Sequence, residues 1–191
     1  MYIVGSPSRI HCRVDSQNAN PARYVPRYIH RVGRRLQRAA AAGQATLAFK
    51  PSHDTRYHAE AISTHTGAKL PAGAVESAAE ILSHAANAHT IGIDEAHFFG
   101  TSLIEPIRAL LARGTRVIVA GLERDHRGRH FEPFPWLLCE ADEVVKLAGP
   151  CAVCGKPALH SQRLVDSPDR IVVGGAEAYQ PRCRECFQPG R

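Results

Sequence analysis

Two pairs of cysteines carry the strongest chemical signal in the chain. Cys151 and Cys154 form one C-x-x-C turn, and Cys183 and Cys186 form another after 28 intervening residues. Each turn offers two thiolates together, and two such turns build a closed tetrahedral four-sulfur site that suits zinc. A site closed by four thiolates leaves no position for substrate, so its role would be structural. In a reducing compartment, paired C-x-x-C turns read as metal ligation before disulfide. Cys12 and Cys139 stand alone and read as inert. The second signal is Ile91-Gly-Ile-Asp94-Glu95-Ala-His97-Phe98-Phe99. An apolar run ending in two carboxylates has the layout of a Walker B element, with one carboxylate facing Mg²⁺ and the other acting as a general base. The alternative is two carboxylates that only cap the helix that follows. The letters Asp-Glu-Ala-His also match a helicase box, but 191 residues are too few for two motor domains. A third observation is an absence. No G-x-x-x-x-G-K-[ST] phosphate loop occurs in the sequence, and Ser6-Pro-Ser-Arg9-Ile10 after Gly5 supplies neither the second glycine nor the lysine.

The elements that must position these groups follow from hydrophobic spacing. Tyr2-Ile3-Val4 reads as a short strand. Residues 5–27, rich in Ser, Pro, Asn and Arg, read as a loop without regular structure. Ile29, Val32 and Leu36 recur at helical spacing, with Arg31, Arg34, Arg35 and Arg38 on the other face, so the pattern predicts a helix over 28–42, ended by Gly43. Strands are expected over 45–50, 90–94, 117–122 and 143–147, and helices over 75–86, 103–113 and 135–140. Residues 51–67 read as a polar loop. Strands alternating with helices predict an α/β fold, a parallel sheet with helices on both faces that binds ligands at the carboxyl ends of its strands. After Gly149 the character changes to cysteines and short β runs. The chain therefore divides into 1–148, the α/β part, and 149–191, a small metal-binding part.

Composition excludes several classes. Hydrophobic residues make up 44% and charged residues 22%, an ordinary globular balance. No apolar run approaches the ~18 residues that span a bilayer, and the expectation is a cytoplasmic protein without a membrane partner. The net charge is +6, and residues 1–43 alone carry eight Arg and one Asp. Such a segment could attract nucleic acid, but beyond Tyr24 and Tyr28 it lacks the interleaved aromatics of a base-stacking surface. A nucleic-acid-binding zinc protein is therefore the weaker reading.

From about Arg31 to Phe187 the sequence resembles the zinc-containing type II thymidine kinases. The carriers are Phe49-Lys-Pro-Ser-His-Asp54-Thr-Arg56-Tyr57, Ile93-Asp94-Glu95-Ala-His97-Phe98-Phe99, Val117-Ile-Val-Ala-Gly-Leu122, the two C-x-x-C turns, Gln162-Arg163-Leu164 and Val173-Gly174-Gly175-Ala-Glu177-Ala-Tyr179. The resemblance implies a P-loop-type nucleotide fold, a small zinc domain and a homotetramer. It implies transfer of the ATP γ-phosphate to the 5′-hydroxyl of thymidine. By position, Glu95 would take the hydroxyl proton and Asp94 would belong to the Mg²⁺ network. Asp54 would lie near Mg²⁺ and Arg56 near the moving phosphate. Phe98 and Phe131 would wall the thymine pocket. Residues 170–179 would form a lasso over the nucleoside, using backbone groups near Val172 and Val173, with Tyr179 packed against it. At the position of the phosphate loop the chain reads Ala22-Arg-Tyr-Val-Pro-Arg27-Tyr28-Ile29, so an alternative is a protein that keeps the fold, the zinc site and nucleoside binding without ATP turnover. The thymine-side loop reads Asp125-His126-Arg127-Gly128-Arg129-His130-Phe131, and His97 stands where the family usually has Gln.

Overall fold

The computed structural model describes residues 2–4, 10–15, 27–52, 61–63 and 69–189, with side chains from 32–52 and 72–189. The strands are β1 (Tyr2–Val4), β2 (Ile10–Asp15), β3 (Thr46–Pro51), β4 (Ala61–Ser63), β5 (Lys69–Pro71), β6 (Gly73–Val75), β7 (Thr90–Ile93), β8 (Arg116–Gly121) and β9 (Ala141–Leu147). Among the described residues four α-helices accompany them: α1 (Arg27–Ala41), α2 (Ala78–His84), α3 (Ile104–Ala112) and α4 (Phe134–Glu140). Seven strands form one sheet in the order β6-β3-β7-β8-β1-β2-β9. The run β6-β3-β7-β8 is parallel throughout, which is the expected α/β core.

Helices cover both faces because the strand residues alternate. Val117 and Val119 of β8, with Ile91 and Ile93 of β7, join the larger core cluster with α2, α3 and α4. Ile118 and Ala120 point the other way and pack with Val32 and Leu36 of α1. Gly92 faces α1, and the absence of a side chain lets the helix approach. An added Cβ there would lie 2.6 Å from Leu36 Cδ1 and 3.3 Å from Val32 Cγ1. Leu36 is fully buried and has little room to retreat. Gly92→Ala is therefore expected to cost about 1–3 kcal/mol by overpacking and to lower Tm by roughly 3–10 °C. A thermal melt checks this, and an unchanged Tm would show that α1 does not press on β7.

Several expectations are corrected. Residues 10–15 are a strand, not part of a structureless 5–27 segment. β2 pairs parallel with β9 from Ile10↔Ala141 to Asp15↔Leu147. Ile10, Cys12 and Val14 alternate with His11, Arg13 and Asp15, a period-two pattern hidden by the polar composition around it. Residues 5–9 and 16–26 lie outside the described residues, and with them most of the segment at the phosphate-loop position. The sheet is not parallel throughout, since β1 runs antiparallel to both β8 and β2. The expected 51–67 loop contains β4, which forms a hairpin with β5. The helix expected from residue 75 starts at Ala78. Glu80 accepts hydrogen bonds from the Ser77 N–H (3.1 Å) and hydroxyl (2.9 Å), which fixes the first turn, while Val75 still belongs to β6. β7 ends at Ile93, so Asp94 lies just beyond the strand. The helix expected from 103 begins as 3₁₀ turns and becomes α-helical at Ile104. β9 begins at Ala141, two residues before the expected start.

Beyond β9 the chain forms two small hairpins. β10 (Gly149–Pro150) pairs with β11 (Pro157–Ala158), and β12 (His160–Arg163) pairs with β13 (Tyr179–Arg182). Among the described residues, no helix is long and apolar enough to cross a membrane.

Candidate active site and metal centre

The carboxyl ends of β3, β7 and β8 lie side by side, and the acidic pair sits there. The Asp94 N–H donates to the Phe49 carbonyl at 2.9 Å, which extends the β3–β7 ladder by one bond. The chain then turns sharply. Glu95 has φ 48° and ψ 40°, and it is the only described residue other than glycine with positive φ. A glutamate in the left-handed region is held there against steric cost, and such strain concentrates at functional sites. Asp94 Oδ1 helps hold the turn by accepting the Glu95 N–H at 2.9 Å. Both residues are buried, Glu95 at 2% exposure. Lys50 is also buried and directly follows Phe49, the register partner of Ile93.

Gly121, the last residue of β8, lets this turn approach the sheet. A Cβ on Gly121 would meet Ala96 N and Phe134 Cζ at 3.0 Å and His97 Nδ1 at 3.1 Å. His97 therefore lies against the strand end. Its Nδ1 is 3.3 Å from the Leu122 N–H and 3.5 Å from Glu95 Oε2. The imidazole also contacts Phe98 (ring centroids 4.4 Å) and Phe131 (5.1 Å). Glu95, His97, Phe98 and Phe131 thus form one group around the buried carboxylate.

A second group lies in the strap, residues 164–178, between β12 and β13. The Tyr179 hydroxyl donates to the Val172 carbonyl at 2.9 Å and accepts the Val172 N–H at 3.3 Å. Val173 beside it is 53% exposed. Asp54 and Arg56 lie outside the described residues.

Sequence reasoning gave no role to the residues that hold these groups together. Arg163 ends β12 and donates to the carbonyls of Ser167 (3.0 Å), Asp169 (2.7 Å) and Arg170 (2.9 Å). Arg170 Nε donates to Asp125 Oδ2 at 2.8 Å, its Nη2 donates to the His130 carbonyl at 2.6 Å, and its guanidinium carbon lies 4.6 Å from the centre of the Phe131 ring. Asp125 Oδ1 accepts the N–H groups of Arg127 and Arg129, each at 2.9 Å. Burial pushes the Asp125 carboxyl up, but the Arg170 bond and the two backbone donors outweigh it and hold the group below its ordinary value. His126 is also buried, and desolvation together with the Arg163 charge lowers its imidazole below the usual range. An Asp two residues before one N–H and four before another was a legible signal for the turn; its partner 45 residues later was not.

Cys151, Cys154, Cys183 and Cys186 come together. Their sulfurs all lie within 4.8 Å of one another and could hold a metal ion. Cys154 Sγ is 3.5 Å from Cys183 Sγ and 3.7 Å from Cys186 Sγ, far too long for disulfides. A tetrahedron with metal–sulfur bonds of ~2.3 Å has edges of ~3.8 Å, so the spacing fits a thiolate-bound dication. The surroundings favour thiolate at Cys151. Burial raises the Cys151 thiol, but bonds from the backbone of Cys183, Cys154 and Val153 outweigh it and bring the group to about 6. Hydrogen bonding to Cys183 and Cys154 pushes Cys186 up to about 12.

Comparison with known proteins agrees with this geometry. The family model described as thymidine kinase matches residues 30–187. The chain is 48% identical over 158 residues to a thymidine kinase of Rhodothermus sp. (strain ITI 518), covering 83% of this chain and 74% of that protein. It is 47% identical over 156 residues to a thymidine kinase of Coprothermobacter proteolyticus, covering 78% and 79% respectively. The matched span holds the strained Asp94–Glu95 turn, the strap and all four cysteines, and the chain belongs to the thymidine kinase family.

Proposed function

We propose that this protein transfers the γ-phosphate of ATP to the 5′-hydroxyl of thymidine. The observation that carries the reading is Glu95, a buried carboxylate held in left-handed backbone at the carboxyl edge of the parallel strands, next to His97, Phe98 and Phe131. A carboxylate so placed can take the proton of a hydroxyl brought against it, and burial excludes competing water. Asp94 faces the same edge and would hold the Mg²⁺ that accompanies ATP, with Asp54 near the metal and Arg56 near the moving phosphate. Mg²⁺ supplies charge neutralisation on the phosphate oxygens. Phe98 and Phe131 would wall the base. The backbone of Val172 and Val173 would recognise its polar edge, with Tyr179 fixing Val172.

The four cysteines would hold a structural Zn²⁺. All four positions are then taken, so the metal supports the hairpins that carry the strap and takes no part in transfer. In this reading residues 1–148 form the nucleotide-binding domain and 149–191 the zinc domain. The protein works in the cytoplasm, where thiols stay reduced, and assembles as a homotetramer.

The test is release of ADP from Mg-ATP by the purified zinc-loaded protein with and without thymidine. Thymidine-dependent ADP release in a 1:1 ratio with a phosphorylated nucleoside is the expected result. Thymidine binding by calorimetry with no ADP release would overturn the kinase reading and leave a nucleoside-binding protein.

A further inference from the structure

We infer that Arg170 and Asp125 are positioning residues that lock the strap to the 123–131 loop, and thereby set nucleoside affinity without acting in the chemical step. The inference rests on the nucleoside site proposed above, but the lock itself consists of contacts within the chain.

A strap of this length carries little that would hold it in place by itself. Leu164, Val165, Ile171 and Val173 are exposed, so apolar burial does little to fix it. Its internal bonds tie it mainly to its own base: Leu164 N–H to the Ala178 carbonyl at 2.8 Å, and Ala178 and Tyr179 N–H to the Gly175 carbonyl at 3.1 and 3.0 Å. The Arg170 side chain supplies the strap's charge-assisted ties to the 123–131 loop, and His126 of that loop adds a hydrogen bond to the Arg170 backbone. One side chain makes two charge-assisted bonds and covers Phe131, and all three contacts fall on the single loop that runs from Glu123 to Phe131.

Asp125 makes the lock directional. Its side chain is 1% exposed, whereas that of Arg170 is 51% exposed. A buried carboxylate needs its donors, and two are fixed backbone N–H groups of its own turn. The third is brought by the strap. Releasing the strap would strip Asp125 Oδ2 of its Arg170 donor, which disfavours the open form. Arg163 adds the second half of the lock. It fixes the Arg170 carbonyl from behind, so the backbone that presents the guanidinium is itself held.

The same contacts reach the chemistry. Phe131 lies between the Arg170 guanidinium and His97, and His97 lies against Glu95. A continuous path of packed groups thus runs from the strap to the buried carboxylate. The path passes through ring contacts and not through a proton relay, so its role is to hold shape.

The test uses the full-length zinc-loaded protein and three variants: Arg170→Ala, Arg170→Lys and Asp125→Asn. Hydrogen exchange is read on the amides of Leu164, Val172, Ala178 and Tyr179, and thymidine binding is read by calorimetry. Loss of a charge-assisted contact to a buried carboxylate is expected to speed exchange and weaken thymidine binding in Arg170→Ala by about tenfold or more. The thymidine KM should rise in parallel while kcat changes by less than about threefold. Arg170→Lys should recover part of the loss, because lysine can reach Asp125 but cannot also bond His130 and cover Phe131. Asp125→Asn should match Arg170→Ala in exchange, and its Tm identifies any wider unfolding. Unchanged strap exchange in Arg170→Ala would overturn the lock. A fall in kcat with unchanged KM would overturn the positioning role. If the unmodified protein fails to bind thymidine, the nucleoside reading fails, yet the exchange measurement still decides whether Arg170 holds the strap.

Discussion

Glu95→Gln is expected to lower kcat by ~10²–10⁴-fold, the range attributable to a positioned general base. The amide matches the carboxylate in shape and keeps the same left-handed backbone requirement, so the turn from Asp94 to Phe98 should persist. It cannot accept the hydroxyl proton. Thymidine affinity should change by less than about threefold, since the base is expected to be held by Phe98, Phe131 and the strap and not by Glu95. Steady-state turnover and calorimetry on the same preparation check both numbers. Equal loss of turnover and binding would show that Glu95 holds substrate or structure and is not the base. The strain at Glu95 gives the prediction its physical ground. A glycine would occupy φ 48° without cost, yet the chain places a buried carboxylate there, next to a second carboxylate and against His97.

Cys183→Ser is expected to melt the C-terminal hairpins while leaving the seven-stranded sheet folded. Structural zinc contributes on the order of 10 kcal/mol to small zinc-folded units, and a hydroxyl is a poor replacement for thiolate. Metal analysis should fall from one zinc per chain to near zero. Exchange protection should be lost from residues 149–189 and retained in β7 and β8. Chelation of the unmodified protein should give the same pattern. Thymidine affinity should fall with it, because β13 joins the strap to the Cys183–Cys186 turn. Retention of zinc by Cys183→Ser with full protection would show that three sulfurs suffice.

Much of the site was legible because its signals are local. Two C-x-x-C turns place sulfur pairs by backbone geometry alone, and the fold brings the four sulfurs to within 4.8 Å of one another. An apolar strand closing on Asp94-Glu95 announces its own carboxyl end. Strand and helix alternation from Thr46 to Gly121 identified the parallel core, because each period is set by residues a few positions apart. Boundaries moved by a few residues where a short-range bond intervened, as at Ser77 and Glu80. β2 was missed although Ile10, Cys12 and Val14 alternate, since Arg, Asn and Pro around them gave the segment the composition of a loop.

What the tertiary structure alone decided is pairing over distance. Arg35 of α1 meets Glu143 of β9 across 108 residues, and Arg170 meets Asp125 across 45. No periodicity links such residues, because their approach depends on where the sheet places the ends of separate elements. The same holds for β1, which reads as a strand but gains its antiparallel neighbours only from the strand order. The residue types could name a base, a metal cluster and aromatic walls. Which arginine reaches the buried Asp125 from the strap was set by chain folding, through contacts that no local stretch of sequence contains.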